Sequence, residues 1–412
     1  MGDFAAVVRR FMQARGLSVR ATARAAGYSD HTLLSKVLNG HKPVTPYLAV
    51  CLDDALGADG QIIAAAQAAQ AVSAAARLPL REMADHAAEL GAWAETGTAG
   101  PGTIAALDDE VSRLTRDYGT TAPGPLVIRA SDACRRASGL LRQHQRLRTA
   151  RDLYVVAARA CAFLSAALGD LAQQAEAAMY ARTALILAEE SGDPAAIAVA
   201  LSALSKVAFW DGRRQHAADL AARGYAVAPQ SDAVRALLAC QQADASPVSA
   251  AREALHRAAA AFDDADASAD GGLFSAGRVR VAAYASTLAL REGNAAGVLA
   301  AVADAEQAVA DGEGIPHGSW AQVQIMAALA MLATGDAEQA AARLAPVFGL
   351  PAEMRLATFA GRLSSAGALA SAPGYRESSA AREIAEQVAS YLGQSPGDFM
   401  EYPLALGPGA AR

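Results

Sequence analysis

Residues 18–46, SVRATARAAGYSDHTLLSKVLNGHKPVTP, crowd three helix starts and two helix stops into one short stretch. Ser18 is placed to cap a helix over Val19 to about Ala26. Gly27 supplies the turn, where a left-handed backbone is open to glycine. Ser29 is expected to cap a second helix over Asp30–Leu38, which Asn39-Gly40 ends. Thr45-Pro46 then reads as an N-cap followed by proline at the first helical position. Two short helices joined by a tight turn make a helix–turn–helix, a unit sized to lay one exposed helix in the DNA major groove.

The apolar positions agree with that reading. Ala21, Ala25 and Ala26 are small enough for the second helix to cross closely. Leu33, Leu34, Val37 and Leu38 form its buried stripe, leaving Asp30, His31, Thr32, Ser35 and Lys36 to face out. Val7, Val8 and Phe11 lie on a preceding helix, about Asp3–Ala14. Leu48, Val50, Cys51, Leu52 and Leu56 lie on a following one that ends at Gly57. The expectation is a bundle of four or five helices within residues 1–65.

On these residues the segment 4–60 resembles the phage-repressor-like (Cro/C1, or XRE) helix–turn–helix domain. The resemblance rests on Arg15-Gly16-Leu17-Ser18, Ala23, Ala26-Gly27-Tyr28-Ser29, Thr32-Leu33, Asn39-Gly40 and Leu52-Asp53-Asp54-Ala55-Leu56-Gly57. It implies duplex DNA as partner and the helix 30–38 as reader. In that reading Asp30, His31, Thr32 and Lys36 face base edges. Arg20 and Ser29, at the helix starts, are phosphate candidates, with Asn39, His41 and Lys42 in the following loop. One departure from the family is the opening Asp30-His31-Thr32, where many members carry Gln or Arg; a carboxylate there repels phosphate.

Charge separates this end from the rest. The 412-residue chain has a net charge of −6, yet residues 1–50 hold seven Lys or Arg against Asp3 and Asp30. That leaves the N-terminal segment at +5 and the remainder at −11. A basic end on an acidic body is expected where only that end meets phosphates. Two of the three lysines, Lys36 and Lys42, fall in it.

After residue 60 the composition turns to alanine. A helix over 61–77 is expected to link the domain to the body, followed by one over Leu80–Trp93. ETGTAGPGT (95–103) reads as a loop, 104–118 as a helix with Ile104, Leu107, Val111 and Leu114 on one face, and GTTAPGP (119–125) as a second loop. Residues 66–125 are therefore expected to form a helical linker containing the hinge.

Residues 126–400 read as stacked helix hairpins with no strand, and 401–412 as a tail. Turns are expected at Gly169-Asp170, Asp211-Gly212, Asp244–Pro247, Gly293-Asn294 and Gly335-Asp336. The interval from 169 to 212 is 43 residues and from 293 to 335 is 42, a period that points to repeated hairpins. Within 204–229, Gly212, Ala217, Ala218, Leu220, Tyr225 and Pro229 resemble the second half of a tetratricopeptide repeat. The expected fold is all-α: a small helix–turn–helix bundle followed by a tetratricopeptide-like α-solenoid. Such a superhelix carries a concave binding surface.

That layout is similar to actinobacterial regulators and to the peptide-pheromone receptors of Gram-positive bacteria. It implies a body that dimerises and binds a small-molecule or peptide effector. Trp210, Arg213, Tyr225, Tyr284, His317 and Trp320 are the conspicuous polar and aromatic residues that could line an effector pocket. The basic run Arg135-Arg136, Arg142, Arg146, Arg148 and Arg151 reads as a solvated face or a subunit contact.

Enzyme signals are poor, so no catalytic residue, cofactor or metal is expected. The stretch 97–103 has the glycines of a phosphate loop but neither its lysine nor a preceding strand. The seven histidines show no metal-ligand spacing. The acidic cluster Asp263-Asp264-Ala265-Asp266 lacks the glycine and glutamate of a calcium loop. Cys51, Cys134, Cys161 and Cys240 are scattered on apolar patterns and read as reduced thiols. No run of 18 apolar residues occurs; the nearest are broken by Arg159 and Lys206. A cytoplasmic, nucleoid-associated homodimer on a near-palindromic operator is expected. A protein-interaction scaffold with secondary DNA binding is the alternative.

Overall fold

The computed structural model describes residues 4–75, 99–143, 145–230, 233–264 and 272–393. Among these it has nineteen α-helices and no strand, as the all-α expectation requires. The expected helix Leu80–Trp93, Asp266 and the tail 401–412 lie outside the described residues. The chain divides into two units, Met1–Ala94 and Glu95–Arg412.

The first unit holds α1 (Phe4–Ala14), α2 (Val19–Ala25), α3 (Thr32–Leu38), α4 (Pro46–Leu56) and α5 (Gln61–Ala75). Local chemistry sets most of these boundaries. Ser18 Oγ accepts from the Ala21 amide, and Thr45 Oγ1 accepts from the Leu48 amide ahead of Pro46. Gly27 turns at φ +83° and Gly40 at φ +76°. The α3 start differs from expectation. The helix begins at Thr32, and Asp30 rather than Ser29 supplies the cap, its Oδ1 accepting from the Thr32 amide at 3.0 Å.

The core of this unit is built from Phe4, Val8, Met12, Leu34, Val37, Leu38, Leu48, Leu52 and Leu56. Leu33 is only half-buried, Val50 is exposed, and Ala25 faces solvent while Thr22 and Ala23 turn inward. Helix α5 was expected as a linker, but Ile62 and Ala66 are buried in the same core. Its start is fixed by Asp53, a buried carboxylate on α4 that accepts from the amides of Gly60 (2.8 Å) and Ile62 (2.9 Å).

The second unit begins with α6 (Pro101–Asp117), α7 (Pro123–Leu141), α8 (Leu147–Asp170), α9 (Gln174–Ser191) and α10 (Pro194–Trp210). It continues through α11 (Arg214–Val227), α12 (Val234–Ala245), α13 (Val248–Asp264), α14 (Arg278–Arg291) and α15 (Ala295–Ala310). It closes with α16 (His317–Ala333), α17 (Ala337–Phe348), α18 (Ala360–Ala370) and α19 (Ser379–Leu392). Pro101 and Pro123 open α6 and α7, so the two expected loops are shorter than read: proline at a first helical position is pre-set for the helix. Leu107 and Val111 of α6 are buried with Ala133, Ala137, Leu153 and Val156, so α6 belongs to the core of this unit.

Alanine sets the packing. Ala177, Ala181, Ala184 and Ala188 run down one face of α9 and are fully buried, which lets neighbouring helices approach closely. Most expected turns are present. Asn294 and Asp336 cap the helices that follow Gly293 and Gly335, accepting from the Gly297 and Gln339 amides. The first is displaced: α8 runs through Gly169-Asp170, and Ala172 takes the left-handed turn at φ +63°. The arginines of the basic run are all exposed, with Arg135 paired to Asp132. By length and composition α8 could cross a membrane, but 72% of its apolar window is buried within the protein.

The helices of this unit also meet out of sequence order. Gly119, in the α6–α7 turn, accepts two hydrogen bonds through its carbonyl, from the His317 amide (2.8 Å) and from His317 Nδ1 (2.8 Å). The Leu273 amide donates to Thr115 at the end of α6 (2.9 Å). Leu114, Tyr118, Leu126, Phe163 and Leu273 share one buried cluster. The early helices thus close against the start of α16, and the inner surface becomes a walled cavity.

Candidate DNA-binding helix and body cavity

In the first unit, α3 is exposed along Thr32 and Lys36, with His31 and Ser35 half-buried beside them. Asp30 is exposed but engaged, because Thr32 donates to its Oδ1 from the hydroxyl (2.8 Å) as well as the amide. Those two bonds, the hydroxyl foremost, hold the Asp30 carboxyl below its usual range. The carboxylate that looked misplaced on a reading helix therefore serves as its cap. His31 Nδ1 lies 3.4 Å from the same oxygen.

The phosphate candidates Arg20, Ser29, Asn39, His41 and Lys42 are all exposed, on the α2 start and the two loops that flank α3. Asn39 is held by Arg9, which the sequence reading passed over. Arg9 Nη2 donates to the Leu38 carbonyl (2.8 Å) and to Asn39 Oδ1 (3.1 Å), tying α1 to the end of α3. Only the fold brings a residue 29 positions away to that carbonyl.

Residues 3–66 match the family model of a helix-turn-helix domain. The chain is a DNA-binding regulator. No curated protein matches the chain.

The second unit holds a cavity of about 150 Å³ whose lining runs from Tyr118 to Arg362. Of the six residues singled out as pocket candidates, Trp210, Tyr284 and His317 line it. Arg213 instead pairs with Asp211 at the surface (2.7 Å). Tyr225 packs under Arg235, 4.1 Å from ring centroid to guanidinium, and Trp320 packs on the cluster around α16.

The cavity wall also holds residues that looked ordinary in the sequence. Asp170 is buried; it accepts from Tyr118 Oη (2.5 Å) and from Lys206 Nζ (2.8 Å). Burial, then the Asp170 charge, push the Tyr118 phenol well above its usual range; burial also raises that of Tyr284. Both stay protonated donors near neutral pH. Arg280 donates to the Leu273 and Ser275 carbonyls (2.7 and 2.6 Å) and to Ser319 Oγ (3.3 Å).

Two acceptors in this wall are buried without a hydrogen-bond partner, Gln241 Oε1 and His317 Nε2. A buried acceptor left unpaired costs about 1–3 kcal/mol. The His317 tautomer is set by its neighbour: a carbonyl only accepts, so Nδ1 carries the proton toward Gly119 and Nε2 of the neutral ring is left as an acceptor. Among the described residues no cluster of side chains could hold a metal ion.

Proposed function

We propose that this protein is a cytoplasmic, sequence-specific transcriptional regulator with no catalytic role, whose tetratricopeptide-like body dimerises and senses an effector. The observation that carries the DNA half is the exposed face of α3 within a helix-turn-helix domain on the basic end of the chain. With its hydroxyl proton held by Asp30, Thr32 offers acceptor lone pairs and a methyl group, suited to an amino edge or a thymine methyl. Lys36 is a donor for guanine or for phosphate, and His31 for a base edge. Arg20, Ser29, His41 and Lys42 sit where they can fix the register on phosphates.

For the sensing half, the support is the walled cavity of the second unit, which combines aromatic walls with convergent polar groups. Two readers related by a two-fold axis recognise half-sites about one helical turn apart, hence a near-palindromic operator. Effector binding acts by favouring one arrangement of the readers.

The test is fluorescence anisotropy on duplexes tiled across the gene's own upstream region, with Lys36→Ala and His31→Ala in parallel. One near-palindromic duplex should bind tightly, with affinity falling steeply as salt rises. Each substitution should weaken it by about 1–3 kcal/mol. Equal, weak binding to every duplex, untouched by the substitutions, would sink base reading by α3 and favour a scaffold.

A further inference from the structure

The chemistry of the cavity wall narrows what it can hold. We propose that the cavity takes a compact, uncharged, single-ring molecule bearing hydroxyl or N–H donors, which bond to Gln241 Oε1 and His317 Nε2. The inference rests on the reading that this cavity is the effector site.

Charge comes first. Every charged residue in the wall already has a partner. Asp170 is held by Tyr118 and Lys206. Arg280 is spread over three acceptors, Arg362 donates to the Thr358 carbonyl, and Asp244 is engaged as well. An ionic ligand would have to give up its own hydration and compete with these bonds in a half-enclosed site, which is costly. A neutral ligand displaces none.

Hydrogen bonding comes second. The side-chain atoms of the wall that are buried without a hydrogen bond are one donor, Nε of an Arg362 guanidinium that is engaged through its other nitrogens, and two acceptors, Gln241 Oε1 and His317 Nε2, the latter left as an acceptor because Nδ1 is committed to Gly119. A ligand must bring donors to them, since a second acceptor would leave both unpaired. The two lie on different elements, α12 and the first residue of α16, so one ligand bonded to both bridges the two.

Size and polarity come third. The space of about 150 Å³ is that of a cavity known to hold benzene. Phe209, Trp210, Leu237, Phe274, Leu356 and Phe359 supply the apolar and aromatic walls that a ring requires.

The experiment uses the full chain and three probes of nearly equal size: phenol, toluene and benzoate. Affinities are measured by calorimetric competition and ligand-observed NMR, for wild type, Gln241→Met and His317→Phe. The readout is the change in the ratio of phenol to toluene affinity from wild type to variant, which cancels their different hydrophobicity. We expect phenol and toluene to bind wild type, and benzoate to bind at least tenfold more weakly than phenol, roughly the worth of one hydrogen bond to a well-matched group. The phenol-to-toluene ratio should fall about tenfold in one or both variants, while toluene binding persists and shows that the cavity is folded. An unchanged ratio in both variants would overturn the donor assignment and leave a ligand site standing. Benzoate binding as tightly as phenol would overturn the neutral-ligand assignment. Binding of none of the three would instead overturn the cavity as effector site.

Discussion

The two units are both all-helical, yet they are specified in different ways. In the first, large side chains fill the core and polar residues close to the starts of α2, α3 and α4 bond their first amides: Ser18, Asp30 and Thr45 each act within three residues of themselves. In the second, alanine stripes let helices pack closely almost anywhere, and the arrangement is fixed by bonds across long stretches of chain. Tyr118 and Lys206 meet on Asp170, and Gly119 meets His317. The comparison teaches that capping chemistry defines where helices are, while a few long-range polar ties define which helices meet.

Three substitutions and one labelling measurement would break or sharpen that contrast. The largest effect is expected at Lys206→Met, which strands the buried Asp170 with Tyr118 as its one remaining partner. Removing one member of such a pair should cost the second unit about 3 kcal/mol. Trp210 lines the same cavity, so in a background with Trp93 and Trp320 replaced by Phe its fluorescence during denaturant unfolding reports the loss. Exchange of amide hydrogens in α1–α5 should not change, and a loss shared by both units would contradict the contrast.

Next is Asp53→Ala. It strips the cap from α5 and leaves buried amides without an acceptor, for about 2 kcal/mol in the first unit. Hydrogen exchange at residues 60–66 should accelerate while the second unit stays protected. Arg9→Met removes the donor on the Leu38 carbonyl, worth about 1 kcal/mol. The last turn of α3 should exchange faster, and operator affinity should fall less than for Lys36→Ala.

The smallest effect is chemical. Cys134 Sγ and Cys161 Sγ lie 3.5 Å apart across α7 and α8. The bond from Cys161 brings the Cys134 thiol down to about 7, while that same bond and burial push Cys161 up. The thiolate is the reactive form, so labelling of Cys134 by iodoacetamide should rise with pH and reach half its maximum near 7. Cys240, pushed up to about 12 by burial, should stay unlabelled in the same range. Peptide mapping of the alkylated protein decides both.

How far each unit can be read from its residues follows from the same contrast. The helix–turn–helix was legible because Ser18, Gly27, Asn39-Gly40 and Thr45-Pro46 act locally. The errors there are one step removed. Asp30 caps α3 where Ser29 was expected, since an Asp reaches the amide two residues on as readily as a Ser reaches three. Asp53 and Arg9 were missed because their partners come from another helix.

In the second unit the turns after Gly212, Gly293 and Gly335 were legible, each glycine adopting positive φ. Ala172 was not, because nothing in an alanine announces a left-handed turn. The cavity was half legible. Trp210, Tyr284 and His317 stand out by residue type, but Asp170, Lys206 and Gln241 look like ordinary helical polar residues until α8, α10 and α12 come together.

The two hydrogen bonds from His317 to the Gly119 carbonyl join residues 198 apart in the chain. An open array of hairpins can fray from its end one unit at a time, because each unit touches only its neighbours. Here the start of α16 is clasped to the α6–α7 turn, so releasing the far helices also unroofs the near ones. Contacts of such long range slow folding, since the loop between them must close before they give anything back. The cavity wall reaches from Tyr118 to Arg362. During synthesis, then, no chain that stops short of Arg362 carries the complete cavity, whereas α3, ending at Leu38, is finished almost from the start.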